Sequence, residues 1–125
     1  MPKLRKERVI SMQTFGKKGE DLACDFLTNL GYKIVARNYR FKRSEIDVIC
    51  KGSDVLIFVE VKTRSSRNFG EPESFVSASQ QKAINRAAEG YLSESDWSGD
   101  IRFDIISIVK SNHEEEVFHI KDAFY

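Results

Sequence analysis

The chain has 125 residues, 41% of them hydrophobic and 31% charged, with a formal net charge of +1. That length suits one domain able to bury roughly two-thirds of its unfolded surface, and the composition argues against disorder. No apolar run approaches the roughly 20 residues of a membrane span and no apolar signal core opens the chain, so a cytoplasmic protein without a membrane partner is expected. The charge is uneven: residues 1–43 carry 11 Lys/Arg against 4 Asp/Glu, and residues 44–125 carry 9 against 15. Such asymmetry suits a polyanion met by one side of the molecule, and equally a solvated basic half.

Residues 1–15 show no clear period and are expected to form a basic arm or frayed helical lead-in, in which Lys3, Arg5, Lys6 and Arg8 are solvated or touch phosphates. Residues 16–125 read as a single domain. From Gly16 to Leu30, the spacing of Leu22, Ala23, Phe26, Leu27 and Leu30 predicts a helix, with Gly31 placed as its C-terminal cap. YKIVARNYRF and KRSEIDVIC then read as two strands of a hairpin with a basic turn; KGSD is a second turn and VLIFVEVKT a third strand. RSSRNFGEPES is a polar loop long enough to be a working element. Ile84, Ala87, Ala88, Tyr91 and Leu92 share one face of a helix over about Ser79–Leu92. IRFDIISIV and a shorter EEEVFHI close the chain as strands, so the order of elements predicts an α/β domain with a mixed sheet flanked by helices. Cys24 and Cys50 fall within elements and lack metal-ligand spacing, which predicts reduced core thiols.

Charges interrupt two of the strands. In LIFVEVKTR, Phe58, Glu60 and Lys62 share one face and Val59 and Val61 the other; upstream, Glu45, Asp47 and Ile49 alternate with Ile46, Val48 and Cys50. If KGSD joins these strands as neighbours, Asp47 and Glu60 lie side by side across the ladder. Two carboxylates so placed repel unless a cation sits between them, and Mg²⁺ prefers one or two carboxylates plus water and phosphate oxygens. Lys62, on the same side, would orient a water or neutralise a phosphate. A structural Glu60–Lys62 ion pair is the plainer alternative, and a protein-interaction domain would follow from it. Glu20 flanks the apolar face of the first helix and is a further candidate acid, although a glutamate in a first turn is favourable for dipole reasons alone.

Arg37, Arg40, Lys42 and Arg43 surround the first hairpin, interleaved with Tyr39 and Phe41, and Arg64 and Arg67 follow the third strand. Basic groups around an acidic site suit a nucleic-acid backbone, while a charge run is equally the pattern of a solvated face. His113 and His119 lack metal spacing and read as structural or exposed.

Asp47 together with Glu60-Val61-Lys62, preceded by a helix bearing Glu20, resembles the PD-(D/E)XK pattern of restriction-endonuclease-like nucleases. The stretches GKKGEDLACDFLTNLGYKIVARNYR, EIDVIC, FVEVKTRS, RFDIISI and HIKDAF, covering about Gly16 to Phe124, resemble the YraN family of small bacterial proteins. The resemblance implies a restriction-endonuclease-like core similar to Holliday-junction resolvases. It further implies Asp47, Glu60 and the Val61 carbonyl as ligands of Mg²⁺ or Mn²⁺, Lys62 as the catalytic lysine and Glu20 as a supporting acid. Gln81 matches a family glutamine that in related nucleases lies near metal and substrate. Ser44 stands where the family usually has glycine, and Gln80-Gln81 where it has Lys-Gln.

Two functions follow as expectations: a Mg²⁺-dependent endonuclease acting on DNA, with branched or recombination structures in view, or a non-catalytic nucleic-acid-binding module on the same fold. A two-fold homodimer is an expectation on general grounds.

Overall fold

The structure, a computed structural model, describes residues 5–11, 18–65, 76–111 and 114–124. Its elements are β1 (Arg5–Ser11), α1 (Gly19–Asn29), β2 (Lys33–Phe41), β3 (Ser44–Lys51), β4 (Val55–Arg64), α2 (Ala78–Glu94), β5 (Asp100–Ser111) and β6 (Glu114–Lys121). The six strands form one sheet in the order β1-β6-β5-β4-β3-β2. Only β4 and β5 run parallel; every other neighbouring pair is antiparallel, so the sheet is mixed. The parallel pair is the one whose connection contains α2, as a crossover requires.

One helix covers each face. Leu22, Ala23 and Leu27 of α1 pack on Val48, Cys50, Ile57, Val59, Ile106, Ile108 and Val117. Ile84, Ala87 and Ala88 of α2 pack on Ile49, Phe58, Phe103, Ile105 and Ile120 from the other side. Consecutive strand residues thus serve opposite cores, which is why Val55–Val59 of β4 form an unbroken apolar run and Ile105, Ile106, Ile108 and Val109 of β5 sit in adjacent pairs rather than at alternate positions.

Helix ends follow local chemistry. α1 closes with Gly31 at φ +100°, its N–H bonded to the Thr28 carbonyl and that of Tyr32 to the Leu27 carbonyl, the pairing of a Schellman cap. Leu30, expected on the buried face, is the cap residue and is exposed. Ser77 starts α2 in a capping box: its Oγ accepts from Gln80 N–H and the Gln80 side chain accepts from Ser77 N–H.

Two expectations need correction. Arg5–Ser11, expected within a free arm or helical lead-in, form an edge strand antiparallel to β6; the partner lies more than a hundred residues away, and local periodicity carries no trace of it. Strict alternation in β3 also fails, because Ile46 joins Ile49 in the core under α2 while Val48 and Cys50 face α1. The break falls at Asp47. Opposite it in β2, between the pairs Arg37–Val48 and Tyr39–Ile46, Asn38 takes a left-handed φ of +52°. The loop expected at RSSRNFGEPES, with Arg67, lies largely outside the described residues, as does His113.

Candidate functional site

The β3–β4 hairpin places Val48 opposite Val59, so Asp47 falls level with Glu60, one position beyond the last paired residues. Where the ladder stops, a side chain takes over. Asp47 Oδ2 accepts a hydrogen bond from Val61 N–H at 2.8 Å, which fixes the carboxylate against β4. The expected adjacency of Asp47 and Glu60 is therefore present, through a turn short enough to set register locally.

The charge balance of this corner is unfavourable. Burial pushes Asp47 up to about 7, the neighbouring Glu60 carboxylate adds to the rise, and Glu20 contributes from α1; the Val61 N–H opposes them. Lys62 Nζ stands 3.4 Å from Glu60 Oε2 and relieves one of the acids. Both side chains of that pair are partly exposed, at 27% and 14%, so the pair sits at the mouth of the site.

Glu20 reaches this corner because α1 begins tight against β4. A Cβ at Gly19 would run into the Thr63 hydroxyl, so glycine permits the approach. Glu20 Oε1 also lies 3.7 Å from Arg37 Nη2, and Asp21 Oδ1 accepts a hydrogen bond from the same nitrogen at 2.7 Å. Arg37 is thus committed to the acids of α1, a different task from the phosphate contact expected of it. Among the described residues no group of three or more His, Cys, Asp or Glu side chains converges into a metal-holding cluster. Asp47 and Glu60 form a two-carboxylate site. Two hard oxygen donors beside each other fit Mg²⁺ or Mn²⁺, and the repulsion that raises Asp47 is what a cation would relieve.

The other expected residues divide. Arg40 lies 4.0 Å from Glu45 on the surface, and Arg64 ends β4 level with Val109. Lys42 and Arg43 form the exposed tip of the β2–β3 hairpin. Gln81 donates its side-chain amide to the Val76 carbonyl, 3.2 Å away at the start of its own helix.

Sequence reasoning passed over a second buried carboxylate. Asp104 in β5 is fully buried, as is His119 in β6. Asp104 accepts from Arg102 Nε at 2.8 Å and Nη2 at 2.9 Å, from His119 Nε2 at 2.8 Å and from Asp122 N–H at 3.0 Å. Arg102 in turn reaches the Tyr32 hydroxyl at 3.3 Å. Burial alone would raise Asp104, but these hydrogen bonds and the guanidinium charge outweigh it and hold the carboxyl below its usual range. The signal was there in RFDIISI, an aspartate in an apolar strand with an arginine two residues earlier on the same face. Cys24 and Cys50 are buried free thiols, as expected.

The fold and site define an α/β protein with a mixed sheet and a corner of paired carboxylates beside a lysine. No helix among the described residues is long and apolar enough to cross a membrane. The chain belongs to the uncharacterised protein family UPF0102, whose model matches residues 19–108. It is 43% identical over 110 residues to a UPF0102 protein of Flavobacterium psychrophilum, covering 88% of this chain and 92% of the relative. A UPF0102 protein of Chlorobaculum tepidum is 46% identical over 120 residues, covering 90% and 92%. One from Chloroherpeton thalassium is 42% identical over 119 residues, covering 88% and 92%. The matched span contains Glu20, Asp47, Glu60 and Lys62.

Proposed function

We propose that this protein is a restriction-endonuclease-like, Mg²⁺- or Mn²⁺-dependent phosphodiester hydrolase acting on DNA. The observation that carries the reading is the Asp47–Glu60 pair, two acids held level at the end of a ladder where burial and the facing carboxylate raise Asp47. A fold does not retain such a pair for stability. A cation-binding role accounts for it.

Asp47 and Glu60 are the residues that would hold the cation, with the Val61 carbonyl as a third oxygen. Bound there, a divalent ion supplies Lewis acidity to a phosphate oxygen and lowers the pKa of a water. The chain's own groups do the rest. Val61 N–H locks the Asp47 rotamer, so the acid arrives pre-oriented. Lys62 exchanges its contact with Glu60 for the phosphate, where its charge offsets the negative charge that builds as a water oxygen bonds to phosphorus and the P–O bond to the leaving strand breaks. Glu20, poised by Arg37, orients water from the α1 side. Arg40, Lys42, Arg43 and Arg64 hold the backbone on either side.

The test is a cleavage screen of linear, nicked, flapped and four-way DNA with Mg²⁺ or Mn²⁺, paired with metal titration calorimetry. Wild type should bind metal and cleave at least one form, and Asp47→Asn should do neither while remaining folded. Cleavage by Asp47→Asn at the wild-type rate would sink the scheme. Salt-dependent DNA binding by wild type without metal uptake would favour the non-catalytic module instead.

A further inference from the structure

Away from the paired acids, the tip of the β2–β3 hairpin and the side of α2 enclose a cleft of about 550 Å³ lined by Phe41, Lys42, Arg43, Arg86, Glu89 and Gly90. That size falls within the roughly 300–1,000 Å³ of small-ligand clefts. Lys42, Arg43 and Arg86 are exposed, and none has a carboxylate within ion-pair distance among the described residues. Arg37, by contrast, is already spent on Asp21.

Two features of the backbone keep the cleft as it is. Lys42 takes φ +57°, a left-handed conformation in which glycine would sit without strain, yet a cation occupies it. Gly90 interrupts the middle of α2, where glycine weakens a helix; a Cβ there would run into the Phe41 ring, and its absence lets the ring settle against the helix. Phe41 thus stands as an aromatic wall of the cleft, with Lys42 Nζ 5.4 Å from the ring centroid. An aromatic wall beside cations that no described carboxylate neutralises, one of them resting over the ring, is the composition of a single-strand binding site. Glu89 adds one acceptor able to take the exocyclic amine of a base.

We propose that this cleft holds one unpaired nucleotide of the nucleic-acid substrate, its base against Phe41 and its phosphates among Lys42, Arg43 and Arg86. The inference rests on the nuclease-like reading and deepens it: the DNA carries an unpaired nucleotide at the hairpin tip. Bases inside a duplex cannot reach such a wall without unstacking. Ser44, at the base of the hairpin tip, is three strand residues from Asp47, about 10 Å along β3, so the held nucleotide lies within a few nucleotides of the reacting phosphate.

Fluorescence anisotropy at fixed salt, with EDTA to prevent cleavage, compares a short single strand with the blunt duplex of the same sequence. Wild type should prefer the single strand, and Arg86→Ala should weaken single-strand binding about tenfold while changing duplex binding less than twofold. Lys42→Gly relieves the left-handed backbone, so its fold is not at risk, and it should weaken single-strand binding as well, with a smaller loss for the duplex whose backbone Lys42 also holds. A 2-aminopurine base in the strand should be quenched by wild type and not by Phe41→Leu. Equal affinity of wild type for both forms, or wild-type single-strand affinity in Arg86→Ala and Lys42→Gly, overturns the cleft and leaves the nuclease-like reading standing. Failure of wild type to bind either form overturns both.

Discussion

Asp47 and Asp104 are both aspartates in strands of the same sheet, Asp47 partly and Asp104 fully buried, and their environments push them in opposite directions. Asp104 is answered from every side: a bidentate guanidinium, an imidazole and a backbone N–H fill its two oxygens. Asp47 receives one backbone N–H and faces Glu60, with Glu20 beyond. A satisfied carboxylate is part of the fold. One crowded by like charges is waiting for a ligand, because folding alone gains nothing from the arrangement.

The largest effect should come from breaking the satisfied site. Asp104→Ala leaves Arg102 and His119 without their shared partner, and urea unfolding should show a loss of about 3–5 kcal/mol, the range for removing one member of a buried ion pair. A loss below 1 kcal/mol would mean that water reaches Arg102 easily and that the two sites differ less than their geometry implies.

Asp47→Asn should act in the opposite sense. The amide keeps an acceptor for Val61 N–H and removes the repulsion with Glu60, so in EDTA at pH 8 the variant should be more stable than wild type by about 2 kcal/mol, while metal binding disappears. The sign follows from linkage. Asp47 has a folded value near 7, above its ordinary 3.8, so wild-type stability falls as pH rises from about 4 to about 7 and the advantage of Asp47→Asn opens over that window. Asp104 is lowered, so the stability it contributes is present above its ordinary range and is lost as pH falls through its folded value. Thermal melts of both variants across pH 3–9 should therefore differ from wild type most at neutral and higher pH, with opposite signs, and approach it as pH falls. An Asp47→Asn advantage that is flat with pH would remove the basis of the comparison.

The smallest stability effect belongs to Lys62. Its contact with Glu60 is a 3.4 Å pair near the site mouth, and Lys62→Met should cost less than about 1 kcal/mol while abolishing cleavage. A larger loss in denaturant would assign Lys62 to the fold instead.

Much of the molecule is legible in its sequence. The apolar spacing of α1 and the glycine after it, the apolar residues on both faces of β4, and the KGSD turn all encode structure within a few residues. Asp47 and Glu60 were brought together on paper because a short turn sets the register of the strands it joins. The Gly16 start of α1 was not testable among the described residues, and its visible start at Gly19 depends on contact with Thr63.

What the sequence determined by itself is local: helix and strand periods, caps, turns, and two acids and a lysine in strands that should be apolar. Tertiary structure decided how distant charges were spent. It paired Arg37 with α1, gathered Arg102, Asp104 and His119 from two strands, laid Arg5–Ser11 beside β6, and left Lys42, Arg43 and Arg86 around Phe41. Side-chain chemistry states what a residue can bind. Only the path of the chain settles which partner arrives first.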